Sequence, residues 1–134
     1  MRTIEEKIIK KLAGAGDGQY NLSVRDSVRV ITDNEGNRKA VYTLWSSPVV
    51  EVQHTPDRKL KIQFSFCDWQ SQTTKNRISE ILYYFTNHYI FQKNWKLYVH
   101  FGNSDYAIDA HQPYYIKDGT LFDLQGKKVP AVAK

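Results

Sequence analysis

The 134-residue sequence predicts an α+β fold, with an antiparallel sheet of about five to seven strands, one main helix packed on a face and an N-terminal helix. Three observations carry that prediction. Residues 60–66 alternate strictly, with Leu60, Ile62, Phe64 and Phe66 on one side and Lys61, Gln63 and Ser65 on the other. Two stretches instead repeat apolar residues at helical spacing: Ile4, Ile8, Ile9 and Leu12, then Ile78, Ile81, Leu82 and Phe85. Turn signals separate the strand-like runs, notably Asp33 to Asn37 and the Asp118-Gly119 pair. The length suits a single domain over residues 1–134.

The elements follow in chain order. The helix over residues 3–13 carries Glu5 and Glu6 at its positive end and Lys10 and Lys11 at its negative end. Gly14, Gly16 and Gly18 stop it, so residues 1–18 read as a helix and a flexible hinge. Residues 20–31 read as one strand, with Leu22, Val24, Val28 and Val30 on a shared side if it is unbroken. Residues 39–45 form a second strand that Ser46, Ser47 and Pro48 interrupt, and residues 49–53 a third. Pro56 presets a turn before the strand at 60–66. A helix over 74–87 follows, then two short strands, 89–92 and 96–100, around Lys93, Asn94 and Trp95. The last hairpin turns at Asp118-Gly119, and residues 127–134 read as a frayed basic tail.

Composition narrows the function. Nineteen Lys and Arg face 14 Asp and Glu, a net charge of +5 and a pI near 9.3, which favours a polyanion or an acidic protein surface as partner. The excess is spread evenly between the two halves of the chain. No apolar run approaches the ~20 residues of a membrane-spanning helix. No apolar stretch of a secretory signal follows the N-terminus either, so a cytoplasmic location is expected. The single cysteine, Cys67, excludes an internal disulfide and a thiolate zinc site. His54, His88, His100 and His111 lack ligand spacing, and no glycine-rich phosphate loop precedes a helix. Asp105, Asp109 and His111 are the best acid–base group on offer, and they form no recognisable catalytic motif. The expectation is therefore a non-enzymatic protein with no catalytic residues, no metal and no cofactor.

The segment from Trp69 to Ile78 carries more polar residues than a connection needs. Thr73 or Thr74 can cap the helix, whose first amides lack intrahelical acceptors. Lys75 and Arg77 place cations at that positive end, where each costs roughly 0.3–1 kcal/mol at low salt. An anion or partner carboxylate docked on Thr73, Thr74, Lys75 and Arg77 would reverse that cost. The plain alternative is a capped helix whose cations face water. A second group is aromatic. Tyr83, Tyr84 and Trp95, with Lys93, Lys96 and Trp69, form a candidate contact patch, because one helix and two short strands cannot bury so many rings on one side. Such a patch suits stacking on unpaired bases or a protein interface.

Trp69, Ser71, Thr73, Thr74, Lys75, Arg77 and Ile78 also match a Trp-x-Ser/Thr-x-Thr-Thr-Lys/Arg-x-Arg-Ile signature. With the later aromatic run over residues 91–99, the chain resembles a family of small uncharacterised phage-encoded proteins over about residues 20–100. It departs from that pattern at Asp68 and Ser79. The resemblance implies a phage or mobile-element protein acting inside a bacterial host. Joined to the charge and the aromatic patch, it leads to the expected function. That is an inhibitor of a bacterial nucleic-acid-handling machine, such as an anti-CRISPR or other anti-defence inhibitor, with a host protein or ribonucleoprotein as partner. The alternative is a module for single-stranded DNA or RNA in phage replication or regulation. An exposed aromatic strand would also suit a homodimer.

Overall fold

The computed structural model describes residues 3–67 and 71–132. The apolar stripe of the first helix, α1 (Thr3–Gly14), buries Ile8, Ile9 and Leu12. Its last carbonyls run out of helical donors, the Ala15 amide reaching that of Lys11 at only 3.3 Å. The Arg38 guanidinium takes them, donating to the carbonyls of Lys11 (3.0 Å), Leu12 (2.5 Å) and Ala15 (2.8 Å). A cation at that end also opposes the helix dipole's partial negative charge.

Seven strands form the large sheet: β1 (Gly18–Asn21), β2 (Asp26–Thr32), β3 (Arg38–Leu44), β4 (Ser47–His54), β5 (Leu60–Phe64), β9 (Tyr114–Lys117) and β10 (Thr120–Asp123). They lie in that spatial order and every pair is antiparallel. Between β5 and β9 the chain leaves to build α2 (Gln72–Thr86) and a second sheet of β6 (Tyr89–Lys93), β7 (Lys96–Phe101) and β8 (Ser104–Ile108). Register aligns two apolar rows on the inner face of the large sheet. One runs Val28, Tyr42, Val50, Phe64 and Tyr114; the other runs Val30, Ala40, Val52, Ile62, Ile116 and Leu121. Ile78, Ile81 and Leu82 of α2 and Ile90, Leu97 and Val99 of the small sheet complete the same core.

Two expectations need correction, and one strand was not foreseen. Residues 20–31 are two strands, because the backbone carbonyl of Asp26 accepts from the amides of Leu22 and Ser23 and folds the chain back. Val24 therefore sits in the turn, 96% exposed, and shares no face with Val28. β8 was not foreseen, although its Tyr106 and Ile108 alternate and pack against the core opposite Val99 and Leu97. The expected loose tail is tied down as far as Val132. Lys128 bridges Phe122, Val129 donates to the Leu121 carbonyl at 3.0 Å, and Val132 to that of Asp105 at 2.8 Å.

Candidate functional site

The predicted anion site divides when the side chains are placed. Arg77 turns inward and is 2% exposed. Its Nη1 donates to Glu5 Oε1 at 2.6 Å and its Nε to Asp26 Oδ1 at 3.2 Å. The Tyr42 hydroxyl donates to the same Asp26 oxygen, and Ser23 Oγ to the other at 2.7 Å. Burial pushes the Asp26 carboxyl up, but the bonds from Tyr42, Ser23 and Arg77 outweigh it and hold it below the usual carboxylate range. Burial, with the bond to Asp26, pushes the Tyr42 hydroxyl up, so it stays a donor. Arg77 is thus the buried tie between α2, α1 and β2, and it offers nothing to an outside anion. Glu5, in the first turn of α1, is drawn into the core by it.

The rest of the helix start does face a cavity. Ser71, not a threonine, is the N-cap, accepting from the Thr74 amide at 3.1 Å. The Thr74 hydroxyl is buried and shares a 2.9 Å hydrogen bond with Ser71 Oγ, so it is already engaged. Ser71, Thr73 and Thr74 line one wall of a pocket of about 190 Å³ whose floor is Leu44, Val49 and Phe66. Arg25, Trp45 and Ser47 complete the lining. Trp45 is 61% exposed and, with Ser46, forms the two-residue turn between β3 and β4, both at positive φ (52° and 74°). Lys75 is half-buried, and Trp69 lies outside the described residues.

The predicted aromatic patch is partly assembled. Tyr89, Phe91 and Lys93 project from the outer face of β6, opposite His100, Tyr98 and Lys96 of β7. Phe91 stacks on Tyr98 at 5.2 Å and Tyr89 lies tilted against His100 at 4.9 Å, while Tyr83 meets Tyr89 edge-on at 6.5 Å. Asn94 and Trp95 form the hairpin tip, both at positive φ (52° and 67°), and Trp95 is 90% exposed. Lys93, Lys96 and Trp95 thus crown one end of a ladder of rings, and Tyr83 closes the other. Tyr84 is exposed but leans edge-on against Phe85, away from the ladder. Ser79 accepts from the Ile90 amide at 3.0 Å and pins β6 to α2. Sequence reasoning missed Tyr89, Phe91 and Tyr98 as members of this surface, although their period of two was visible.

The acid–base candidates serve separate partners. Asp105 pairs with His100 Nδ1 at 2.5 Å, whereas Asp109 accepts from the His111 amide at 2.9 Å. Cys67 is a free thiol, half-buried, 3.3 Å from the Pro48 carbonyl. Among the described residues no three His, Cys, Asp or Glu converge to hold a metal ion, and no helix is long and apolar enough to cross a membrane.

No curated protein and no solved structure matches the chain. A family model does, over residues 1–122, which takes in both helices, the pocket and the aromatic ladder. The chain belongs to that phage-encoded family, described as the Kyanoviridae Gp96 protein.

Proposed function

We propose that this phage protein is a non-enzymatic factor that binds a bacterial nucleic-acid-handling machine inside the host and inhibits it, as an anti-CRISPR or other anti-defence protein does. One observation carries the reading. Among the described residues four hairpins turn in two residues, and two of them, 45–46 and 94–95, place a tryptophan in the left-handed region that Asn and Gly normally fill, with both rings in solvent. A bulky residue there costs of order 1–3 kcal/mol, and such residues cluster where they serve binding. Tryptophan and tyrosine are also the commonest anchors of protein interfaces. The Lys93 and Lys96 pair beside Trp95 favours a second reading, direct contact with nucleic acid.

The test compares the wild type with Trp95→Gly and with Trp45→Gly, each expressed with an affinity tag in a bacterium carrying a defence system. The wild type is expected to hold one component of that system stoichiometrically and to restore phage plating. Each variant should remain folded and lose at least tenfold in capture. Equal capture by wild type and both variants, or no effect on plating across a panel of defence systems, refutes the proposal.

A further inference from the structure

The outer face of the large sheet carries the charge that the sequence hides. Both helices pack on the inner face, against β2, β3 and β4. On the outer face, register lines up Arg29, Val41, Glu51, Gln63, Tyr115 and Phe122 in one row, which the bridge from Phe122 extends to Lys128. The next row holds Ile31, Lys39, Gln53, Lys61, Lys117 and Thr120. Five cations (Arg29, Lys39, Lys61, Lys117 and Lys128) therefore share this face with one carboxylate. That carboxylate, Glu51, is already paired with Lys39 at 3.4 Å.

Two further features bear on what this face meets. Lys61 and Lys117 stand directly opposite each other on neighbouring strands. Like charges in that position destabilise a sheet, and an anion between them removes the penalty. Beside them Tyr115 and Phe122 stack at 5.1 Å, with the Lys61 ammonium 4.4 Å above the Tyr115 ring. Cations that track a backbone, interleaved with rings that accept bases, are the two parts of a single-strand binding surface. From β2 to β10 the face crosses five strand intervals, about 24 Å at the usual spacing. The pattern does not suit a duplex, because a broad sheet enters neither groove and rings stack only on bases already unpaired.

We propose that the outer face of the seven-stranded sheet binds single-stranded nucleic acid, with phosphates at Arg29, Lys61 and Lys117 and a base on the Tyr115–Phe122 pair. This surface is separate from the tryptophan tips, so it stands or falls independently of the inhibitor reading.

The test is fluorescence anisotropy of the full chain with labelled oligo-dT and oligo-rU of about 16 nucleotides and with a duplex of the same length, across a salt series. The wild type should bind a single strand at micromolar or tighter Kd in low salt and prefer it to the duplex. Arg29→Gln/Lys61→Gln/Lys117→Gln should weaken binding at least tenfold and flatten the log–log salt slope by about 2, near 0.7 for each lost phosphate contact. It should melt no lower than the wild type, since the Lys61–Lys117 repulsion is gone. Phe122→Leu should weaken binding without changing the slope. Trp95→Gly should bind within about twofold of the wild type. The proposal is overturned by absence of binding at low salt or by wild-type affinity in the triple variant. It is equally overturned if Lys93→Gln/Lys96→Gln causes the loss instead, or if the duplex binds as tightly as the single strand.

Discussion

Replacing Arg77 with methionine keeps the apolar stem of the side chain and removes its charge and its donors. Two carboxylates, Glu5 and Asp26, each 1% exposed, are then left behind. Their situations differ. Asp26 keeps hydrogen bonds from Tyr42 and Ser23. Glu5 loses the 2.6 Å bond to Oε1, and its Oε2 has no partner among the described residues. Breaking a buried ion pair by removing one member costs about 3–5 kcal/mol, chiefly from the charge left behind. At roughly 3–5 °C per kcal/mol for a chain of this size, Arg77→Met should lower Tm by about 10–25 °C. Differential scanning calorimetry or circular dichroism reads this directly. Glu5→Leu in the same background should recover a substantial part of the loss, because the stranded carboxylate goes with it. Lys75→Gln, two residues away on another face of the helix, should move Tm by less than about 2 °C. An Arg77→Met protein melting within 3 °C of the wild type would sink the argument, as would a loss that Glu5→Leu does not reduce.

Other outcomes follow from the same geometry. Trp95→Gly should melt at or above the wild-type temperature, because glycine takes the left-handed turn position without strain; a clear drop in Tm would show the ring to be structural. Arg38→Gln should cost about 1.5–3 kcal/mol through the lost carbonyl bonds at the end of α1, and hydrogen exchange should show α1 opening before the sheet does. His88 is buried, stacked on Phe101 at 4.1 Å, and burial lowers its pKa more than the backbone hydrogen-bonding at Thr86 raises it. Its stabilising contribution is complete above the ordinary value of 6.5 and is lost as pH falls toward the lowered folded value. Tm should therefore decline between pH 7 and 5. His88→Leu should reduce that slope, leaving the part due to His54, which burial also lowers. Asp26 acts further down: its contribution is present above pH 3.8 and disappears as acid protonates the carboxylate.

Local pattern carried much of the fold. The alternation from Leu60 to Phe66, the stripe from Ile78 to Phe85 and the Asp118-Gly119 turn each report a physical constraint that acts over a few residues, and each element is present. The break at Leu22 to Arg25 escaped detection because Val24 imitates the alternation while its side chain stands in a turn. The candidate site was less legible, for a reason of distance. Arg77 meets its carboxylates across 51 and 72 residues of sequence, and nothing local separates an arginine facing water from one facing Asp26. The charge distribution behaves the same way. Spread evenly along the chain, it is gathered by sheet register, which sets Arg29, Lys61 and Lys117 on one face. Trp95 was found because one helix and two short strands cannot bury so many rings on one side.

The order of strands also bears on how the molecule is made. β5 gains its second neighbour only from β9, some fifty residues later, after α2 and the whole small sheet have been laid down. On the ribosome, the strand running from Leu60 to Phe64 must wait with a row of open amides and carbonyls, the kind of template that recruits other chains. Pairings this remote in sequence form slowly. A transcript cut short before Tyr114 would therefore yield a sticky, half-finished sheet, and the final hairpin acts as the lock that ends this vulnerable interval.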